Sequence, residues 1–425
     1  MVGARHAAGT LGARLDLGCH PYGRSEEEDL QVEEPQSPGV QLGAEGAGTL
    51  GVPPVHDGQA SPRCLPQLRV VQRPAGDRSR LVARGGERPT GEAFAALPVA
   101  VDAMGGDKAP GEIVAGARQA AEQGKIAVVL VGRPGELGDT GDLPVMAASE
   151  VIGMEDDPAH GVRRRKDSSL VRAAEAVRDG RAMAMVSAGN TGATMASALL
   201  RMGRLPGVIR PAIATPIPDP NRAWPTVLLD SGANAECSSQ MLVQFAEMGA
   251  TYAHKRYGVE RPRVALLSIG EEKSKGTPLV KETHALLADG AGGAGLEFVG
   301  NVEGRDFFEG LADVIVTDGF TGNVALKTLE GSLRFLMGAL TEILVRPEVR
   351  ETAEALLPHL MPLATALDPE TTGGAMLLGV NGVCVISHGS STSVAVVNAI
   401  TVAHDLAVAG LVADVAASVS QAPAD

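Results

Sequence analysis

Val314-Ile-Val-Thr-Asp-Gly-Phe-Thr-Gly-Asn-Val-Ala-Leu-Lys327 opens on a short apolar run, turns through a glycine-punctuated polar loop and closes with helical spacing. A short apolar run bounded by glycine reads as a strand buried on both faces. The construction recurs at Val99–Asp102, Val128–Val131, Met183–Ser187, Val227–Asp230, Val264–Ser268 and Val383–Ser387. Between the runs lie helical patterns. From Ser168 to Val177, Leu170, Val171, Ala174 and Val177 share one side and Gly180 is a stop signal. At Thr277-Pro278 an N-cap precedes proline at the first helical position, followed by Leu279, Val280, Leu286 and Leu287. Strand–helix alternation of this kind predicts an α/β fold: a three-layer α/β/α, doubly wound, mainly parallel sheet.

Composition agrees. Hydrophobic residues make up 44% of the 425 residues and charged residues 21%, but aromatics only 3%. The core must therefore be aliphatic, which suits parallel strands under helices and suits an all-β sandwich poorly. A length of 425 predicts two domains or one large α/β unit. The net charge of −14 disfavours nucleic acid as a partner, because an acidic surface repels phosphate backbones. Cys19, Cys64, Cys237 and Cys384 lie far apart, fitting neither a disulfide framework nor a zinc site, so a reducing cytoplasm is expected. No apolar run reaches the ~18 residues a membrane span needs; Val396–Val419 is interrupted by His404, Asp405 and Asp414. No signal peptide is visible, and a soluble or peripherally attached protein is expected.

A break falls near Leu97. Residues 1–97 hold 15 Gly and 9 Pro without apolar periodicity, and read as disordered or as the product of a start codon placed too early. Residues 98–425 carry the working domain.

The strand runs end in AMGGDKAPG, SAGNTGAT, DSGANAEC, SIGEEKSKG, TDGFTGN and SHGSSTS. In open α/β sheets ligands sit beyond the carboxyl ends of strands, where helix N-termini offer free N–H groups. Six such loops together predict a polar, anion-accepting cleft; each alone reads more readily as a set of turns and caps. Ser187, Gly189, Asn190, Thr191 and Gly192 have the strongest phosphate-cradle character, without the Gly-Lys-Ser/Thr of a Walker loop. Asp102, Gly105, Gly106, Asp107 and Lys108 suggest a tight turn with one cation beside the ligand, and no dinucleotide fingerprint. Asn323 and Lys327 share a helix face; Lys327 serves either as an anion-binding cation or as a side chain lying along apolar surface. The SIGEEKSKG loop reads either as part of the cleft or as a solvated loop. His388, in a glycine/serine loop after a strand, is a general acid, a phosphate contact or a turn residue bonded to backbone. No GxSxG elbow and no activated cysteine is present, so the site looks built to orient reactants and hold negative charge without a covalent enzyme intermediate.

Taken in order, VAVDAMGGDKAP, KDSS, VSAGNTGA, RPAIATPIP, LLDSGAN, IGEEKSKGTPLVKE, FVGNVEGRD, VIVTDGFTGNVALKTLEG and GGAMLLGVNGVCVISHGSS resemble the bacterial phosphate acyltransferases of phospholipid synthesis, over about residues 98–410. That resemblance implies the fold shared by phosphotransacetylases and isocitrate-type dehydrogenases, a homodimer, and no cofactor or metal. It implies formation of acyl-phosphate from an acyl carrier protein thioester and inorganic phosphate, the first step toward phosphatidic acid. By motif it places phosphate near Ser187, Asn190, Thr191 and the His388-Gly389-Ser390-Ser391 turn; Asp102, Gly105, Gly106, Lys108, Gly189 and Gly192 join these as substrate- and phosphate-binding candidates from the loop reading. Asp230, Asn234, Asp318 and Asn323 follow as orienting groups, and Lys327 as positive charge. His388, Lys327, Asn323 and Asp318 form the candidate catalytic set. Ser231, Glu236, Thr372 and Met376 depart from the family's usual residues.

The apolar stretch from Ser332 to Leu367 reads as a dimer interface or as a tip that dips into the bilayer. Pro358 and Pro362 are expected to break its second half. The product of such an enzyme would pass to a membrane glycerol-phosphate acyltransferase, so a cytoplasmic protein, peripheral at the inner membrane face, is expected. Arg163, Arg164, Arg165 and Lys166, the densest basic run, are the candidate patch for the acidic carrier protein, or else a solvated loop. Competing readings are a CoA-dependent phosphate acetyl- or butyryltransferase, a metal- and NAD-dependent decarboxylating dehydrogenase, and a non-enzymatic carrier-protein scaffold at the membrane.

Overall fold

The computed structural model describes Phe94 and residues 96–420; the expectation for residues 1–97 falls almost wholly outside the described residues. Eleven strands form one sheet. In chain order they are β1 (Val99–Asp102), β2 (Val128–Gly132), β3 (Val145–Ala147), β4 (Ala184–Ser187), β5 (Ala212–Ile217) and β6 (Thr226–Leu229). They continue with β7 (Arg263–Leu267), β8 (Glu297–Val302), β9 (Val314–Val316), β10 (Ala375–Leu378) and β11 (Val383–Ile386). All seven runs read from the sequence are strands; β3, β5, β8 and β10 are additional.

The spatial order is β3-β2-β1-β4-β11-β10-β5-β6-β9-β7-β8. Strands β3, β2, β1, β4 and β11 are mutually parallel, and so are β6, β9, β7 and β8. The antiparallel pairs β11–β10, β10–β5 and β5–β6 lie between them, so the two blocks run in opposite directions. Opposed blocks would ordinarily carry their loops to opposite edges. Here the register offsets them. Asp102 pairs with Ser187, Ser187 with Ile386 and Ile386 with Ala375. One residue on, Met376 pairs with Ala214, Ala214 with Leu229, Leu229 with Val316 and Val316 with Leu266. The carboxyl ends of β1, β4, β11, β6, β9 and β7 thus meet along one cross-sheet row, the two blocks arriving from opposite sides.

Ten helices complete the layers: α1 (Gly111–Gly124), α2 (Pro158–Arg164), α3 (Ser169–Arg178), α4 (Thr191–Arg201), α5 (Ser239–Tyr257), α6 (Pro278–Ala288), α7 (Gly319–Leu344), α8 (Arg350–Leu367), α9 (Ser393–Val408) and α10 (Leu411–Ser420), counted among the described residues. Their starts follow the sequence signals. Ser168 caps α3 by accepting from Val171 N–H, and Thr277 caps α6 by accepting from Val280 N–H. One face of the sheet carries a single continuous core, in which α1, α5, α9 and α10 cover Val101, Val186, Leu229 and Val316. The other face carries two separate cores. Helices α2, α3 and α4 cover Ala100, Met185 and Cys384, while Phe307 and the first turns of α7 cover Leu228, Ala265 and Ile315. The gap between these cores bares the sheet face.

Helix α8 passes through both Pro358 and Pro362, which corrects the expected break; the chain reverses earlier, at a 3-10 turn over Pro347–Val349. Each proline removes one N–H, and α8 is largely exposed, so water can satisfy the freed carbonyls. Among the described residues no single helix is long and apolar enough to cross a membrane; α9 and α10 pass such a test only as a pair bent by 60°, and both pack into the continuous core.

At the far edge Asp313 is buried and ties the ends of β7 and β9 to the chain after β5. It accepts from Arg263 N–H at 2.8 Å and from the Trp224 indole at 3.1 Å, and pairs with the guanidinium groups of Arg263 and Arg222. Burial alone would raise its carboxyl, but these hydrogen bonds together hold it at about 2. A carboxyl held below its unfolded value contributes stability above that value and loses it as pH falls. The interval from 3.8 to about 2 corresponds to about 2 kcal/mol. Urea midpoints are expected to fall between about pH 4 and pH 2, and Asp313→Asn, destabilised at neutral pH, is expected to show a shallower fall there. An equal pH dependence in the two proteins would exclude Asp313 as its source.

Candidate active site

A cavity of about 710 Å³ fills the gap between the two cores. Its floor is β5, through Ile213, Thr215 and Ile217; one wall is the start of α4 with the loop after β11, and the other is α7. The glycine loops explain how the first wall is built. A Cβ on Gly105 would stand 2.6 Å from Asp102 Oδ2 and 2.8 Å from Gly189 N, so the loops after β1 and β4 touch backbone to backbone. Asp107 N–H donates to Gly389 O at 2.8 Å, and Gly106, at φ +107°, lies against the same carbonyl. Beneath them Ser187 Oγ donates to Asp102 Oδ2 at 2.8 Å and accepts from Gly189 N–H at 3.0 Å. Burial pushes the Asp102 carboxyl up, opposed by hydrogen bonds from Ser169, Ser187 and Met104 N–H.

Asp102, Gly105, Gly106, Ser187 and Gly189 therefore support the wall and are not part of its lining. Lys108 is exposed and Gly389 packs against Asp107; neither lines the cavity. Asn190, expected to hold phosphate, spends its side chain on structure. Its Oδ1 caps α4 by accepting from Ala193 N–H at 3.0 Å, and its Nδ2 donates to Met154 O at 2.8 Å and Asp156 O at 3.2 Å. Thr191 and Gly192, the next two residues, do line the cavity.

The loops after β6 and β9 interlock in the same way. Asp230 is fully buried; its Oδ1 accepts from the N–H groups of Ile213, Gly232 and Ala233, and its Oδ2 from Asn234 N–H and Asn234 Nδ2. Asn234 Nδ2 also donates to Pro211 O at 2.8 Å. Onto this knot the first turn of α7 settles so closely that a Cβ on Gly322 would lie 1.9 Å from Asp230 O. Asp318 caps α7, accepting from Thr321 N–H at 2.9 Å and Thr321 Oγ1 at 2.7 Å. Asp230, Asn234 and Asp318 thus orient the wall and lie outside the lining, whereas Asn323 and Lys327 stand on it. Lys327 Nζ donates to Glu330 Oε2 at 2.8 Å, and both residues line the cavity.

His388, Ser390 and Ser391 line it from the opposite side. Ser390 N–H points at His388 Nδ1 at 3.3 Å, and Ser390 Oγ lies 2.8 Å away. A backbone N–H can only donate, so Nδ1 accepts and the neutral ring carries its proton on Nε2. Ser391 Oγ bonds to His388 O.

Three lining hydroxyls were not picked out in the sequence. Ser387 is 5% exposed and its Oγ has no hydrogen-bond partner within the described residues. Its signal was position: it follows β11 as Ser187 ends β4. Thr215 Oγ1 and Ser231 Oγ lie 2.6 Å apart on the floor, so the departure at Ser231 adds a polar pair there. Farther along α7 the lining turns apolar, through Leu329 and Leu333. Of the basic run, Arg165 is consumed by a paired contact with Asp156 and by Val151 O, while Arg163, Arg164 and Lys166 are exposed. The run ends α2, whose Pro158 would lie 2.7 Å from a Cβ on Gly192 of the cavity wall. Among the described residues no group of His, Cys, Asp and Glu is arranged to hold a metal ion. Burial raises the thiols of Cys237 and Cys384 to about 12, which leaves them protonated.

A family profile described as "Fatty acid synthesis protein" matches residues 97–414. The phosphate acyltransferase of Heliobacterium modesticaldum is 48% identical over 318 residues, 72% of this chain and 93% of that one. The phosphate acyltransferase of Pelotomaculum thermopropionicum is 47% identical over 336 residues, 76% and 95% of the two chains. The chain belongs to the phosphate acyltransferase family. Among solved structures, a phosphotransacetylase from Streptococcus pyogenes aligns with a TM-score of 0.50 at 16% identity, over 73% of this chain and 94% of that one. At that identity the likeness speaks for the fold alone, and it agrees with the mixed α/β sheet. As a member of the phosphate acyltransferase family, the chain is an enzyme of acyl transfer.

Proposed function

We propose that the chain transfers the acyl group of an acyl carrier protein thioester to inorganic phosphate. The observation that carries this reading is one continuous cavity with two chemistries. Its lining combines the polar Thr191, Asn323, Lys327, Ser387 and His388 with the apolar Leu326, Leu329, Leu333, Met337, Ala364 and Leu367, and Glu330, Arg334, Asp368 and Glu370 add charge to it. A buried hydroxyl without a partner, such as that of Ser387, costs about 1–3 kcal/mol, which a ligand oxygen would offset. A phosphate oxygen attacks the thioester carbon, the carbon–sulfur bond breaks, and the proton carried by phosphate ends on the thiol. The developing carbonyl oxyanion needs donors already in place, and His388 Nε2–H and the Ser387 hydroxyl supply them. Thiols leave readily, so no triad is required.

In the same reading Arg163, Arg164 and Lys166, beside the cavity wall, receive the acidic carrier. The exposed apolar residues of α7 and α8, such as Phe335 at 79% and Met361 at 56%, are covered in a homodimer. Peripheral attachment at the inner membrane face would let the product pass to a membrane glycerol-phosphate acyltransferase.

Carrier-protein thioester incubated with labelled phosphate is expected to yield labelled acyl-phosphate. Turnover with CoA thioesters alone would overturn the carrier assignment, and none with either donor would overturn the reaction. Lys327→Ala is expected to raise the phosphate KM about tenfold or more, since it removes the lining ammonium nearest Asn323. An unchanged phosphate KM would remove Lys327 from the phosphate site.

A further inference from the structure

The aliphatic part of the cavity has a length as well as a character. Helix α7 presents Leu326, Leu329, Leu333 and Met337 to it, and α8 closes the opposite side with Ala364 and Leu367. The α7 residues recur every three or four positions and form one stripe. From Leu326 to Met337 the helix advances about 16 Å at 1.5 Å per residue. A bilayer's hydrocarbon core of about 30 Å holds two layers of acyl chains, so a membrane-lipid chain extends about 15 Å. The stripe also begins one turn beyond Asn323, at the polar end, and leads away from it. Charged residues also line this stretch: Glu330 is paired with Lys327, Asp368 follows Leu367, and Arg334 has a long methylene stem that can lie beside an apolar chain.

We propose that this stretch is the slot for the donor's fatty acyl chain, and that Met337 on α7 with Ala364 on α8 sets which chain lengths fit. The inference rests on the proposed transfer reaction for its substrate, and names the part of the substrate that the apolar wall reads. A thioester carbonyl held between Thr191 and His388 directs its hydrocarbon tail along α7, where apolar surface is removed from water. Filling the slot with a larger side chain penalises a long tail and spares a short one, because overpacking is costly only where tail and side chain compete for the same space.

The test compares palmitoyl and octanoyl carrier thioesters as donors. Met337→Trp is expected to lower kcat/KM for palmitoyl about tenfold or more relative to octanoyl. Ala364→Phe, from the opposite wall, is expected to shift the ratio in the same direction and covers the case in which the first variant fails to fold. Palmitate binding by calorimetry to the parent enzyme and to both variants gives a readout independent of turnover, with weaker binding expected in the variants. A parent enzyme that binds palmitate but makes no acyl-phosphate would sink the transfer reaction and keep the slot. An active parent with an unchanged chain-length ratio and unchanged palmitate binding in folded variants would overturn the slot, and leave the apolar wall to a second copy of the chain.

Discussion

Asp230→Ala is expected to destabilise the protein by roughly 4 kcal/mol or more, a loss that few single substitutions reach. Alanine leaves four backbone N–H groups and the Asn234 amide without the carboxylate that now accepts from all of them. A buried donor left unpaired costs about 1–3 kcal/mol; the carboxylate and its bond from Ile213 are fully buried, while the bonds from Gly232, Ala233 and Asn234 are partly buried. The damage would spread to function through α7, whose Gly319 and Gly322 rest directly on the knot. Thermal and urea unfolding read the effect. A variant within about 1 kcal/mol of the parent would mean that the knot is not the support described.

His388→Ala is expected to lower kcat about a hundredfold with little change in melting temperature. The expectation follows from tautomer geometry: with Nδ1 occupied by the Ser390 N–H, the neutral ring offers the cavity a donor at Nε2. His388→Gln, which keeps an N–H on a side chain of similar reach, is expected to recover part of the loss. If His388 only shapes its turn, alanine would shift the melting temperature and leave kcat within a few-fold of the parent. That outcome would remove it from the chemistry.

Much of the fold was legible because buried parallel strands write themselves as apolar runs. Most strands that escaped notice lack that signature. Edge strands β3 and β8 are partly exposed, whereas β10 carries it, an apolar run between Gly373-Gly374 and Gly379, and is the exception. Strand β5 carries Pro216, which speaks against a central strand. It is tolerated because β10 pairs only as far as Ala214, leaving Pro216 paired on the β6 side alone. Strand direction leaves no mark in a sequence, so the opposed blocks could not be read. In the site, Thr191, Asn323, Lys327, His388, Ser390 and Ser391 were found and do line the cavity. Asn190, read as a phosphate group, and Asp230 and Asp318, read as orienting groups, serve in the structure as caps and turn supports. The same short polar side chains that grip anions also satisfy free backbone N–H groups at helix starts. Only the three-dimensional partners separate the two uses. Ser387 escaped for the opposite reason, being one more serine at a strand end until its missing partner showed.

Between the end of β4 and the end of β6 lie β11, β10 and β5. At about 4.8 Å per step, four steps set the two jaws of the site about 19 Å apart. That gauge is fixed by backbone ladders, whose pitch no side-chain exchange can alter. Substitution can therefore retune what is gripped, while the room for two reactants side by side is inherited with the sheet itself.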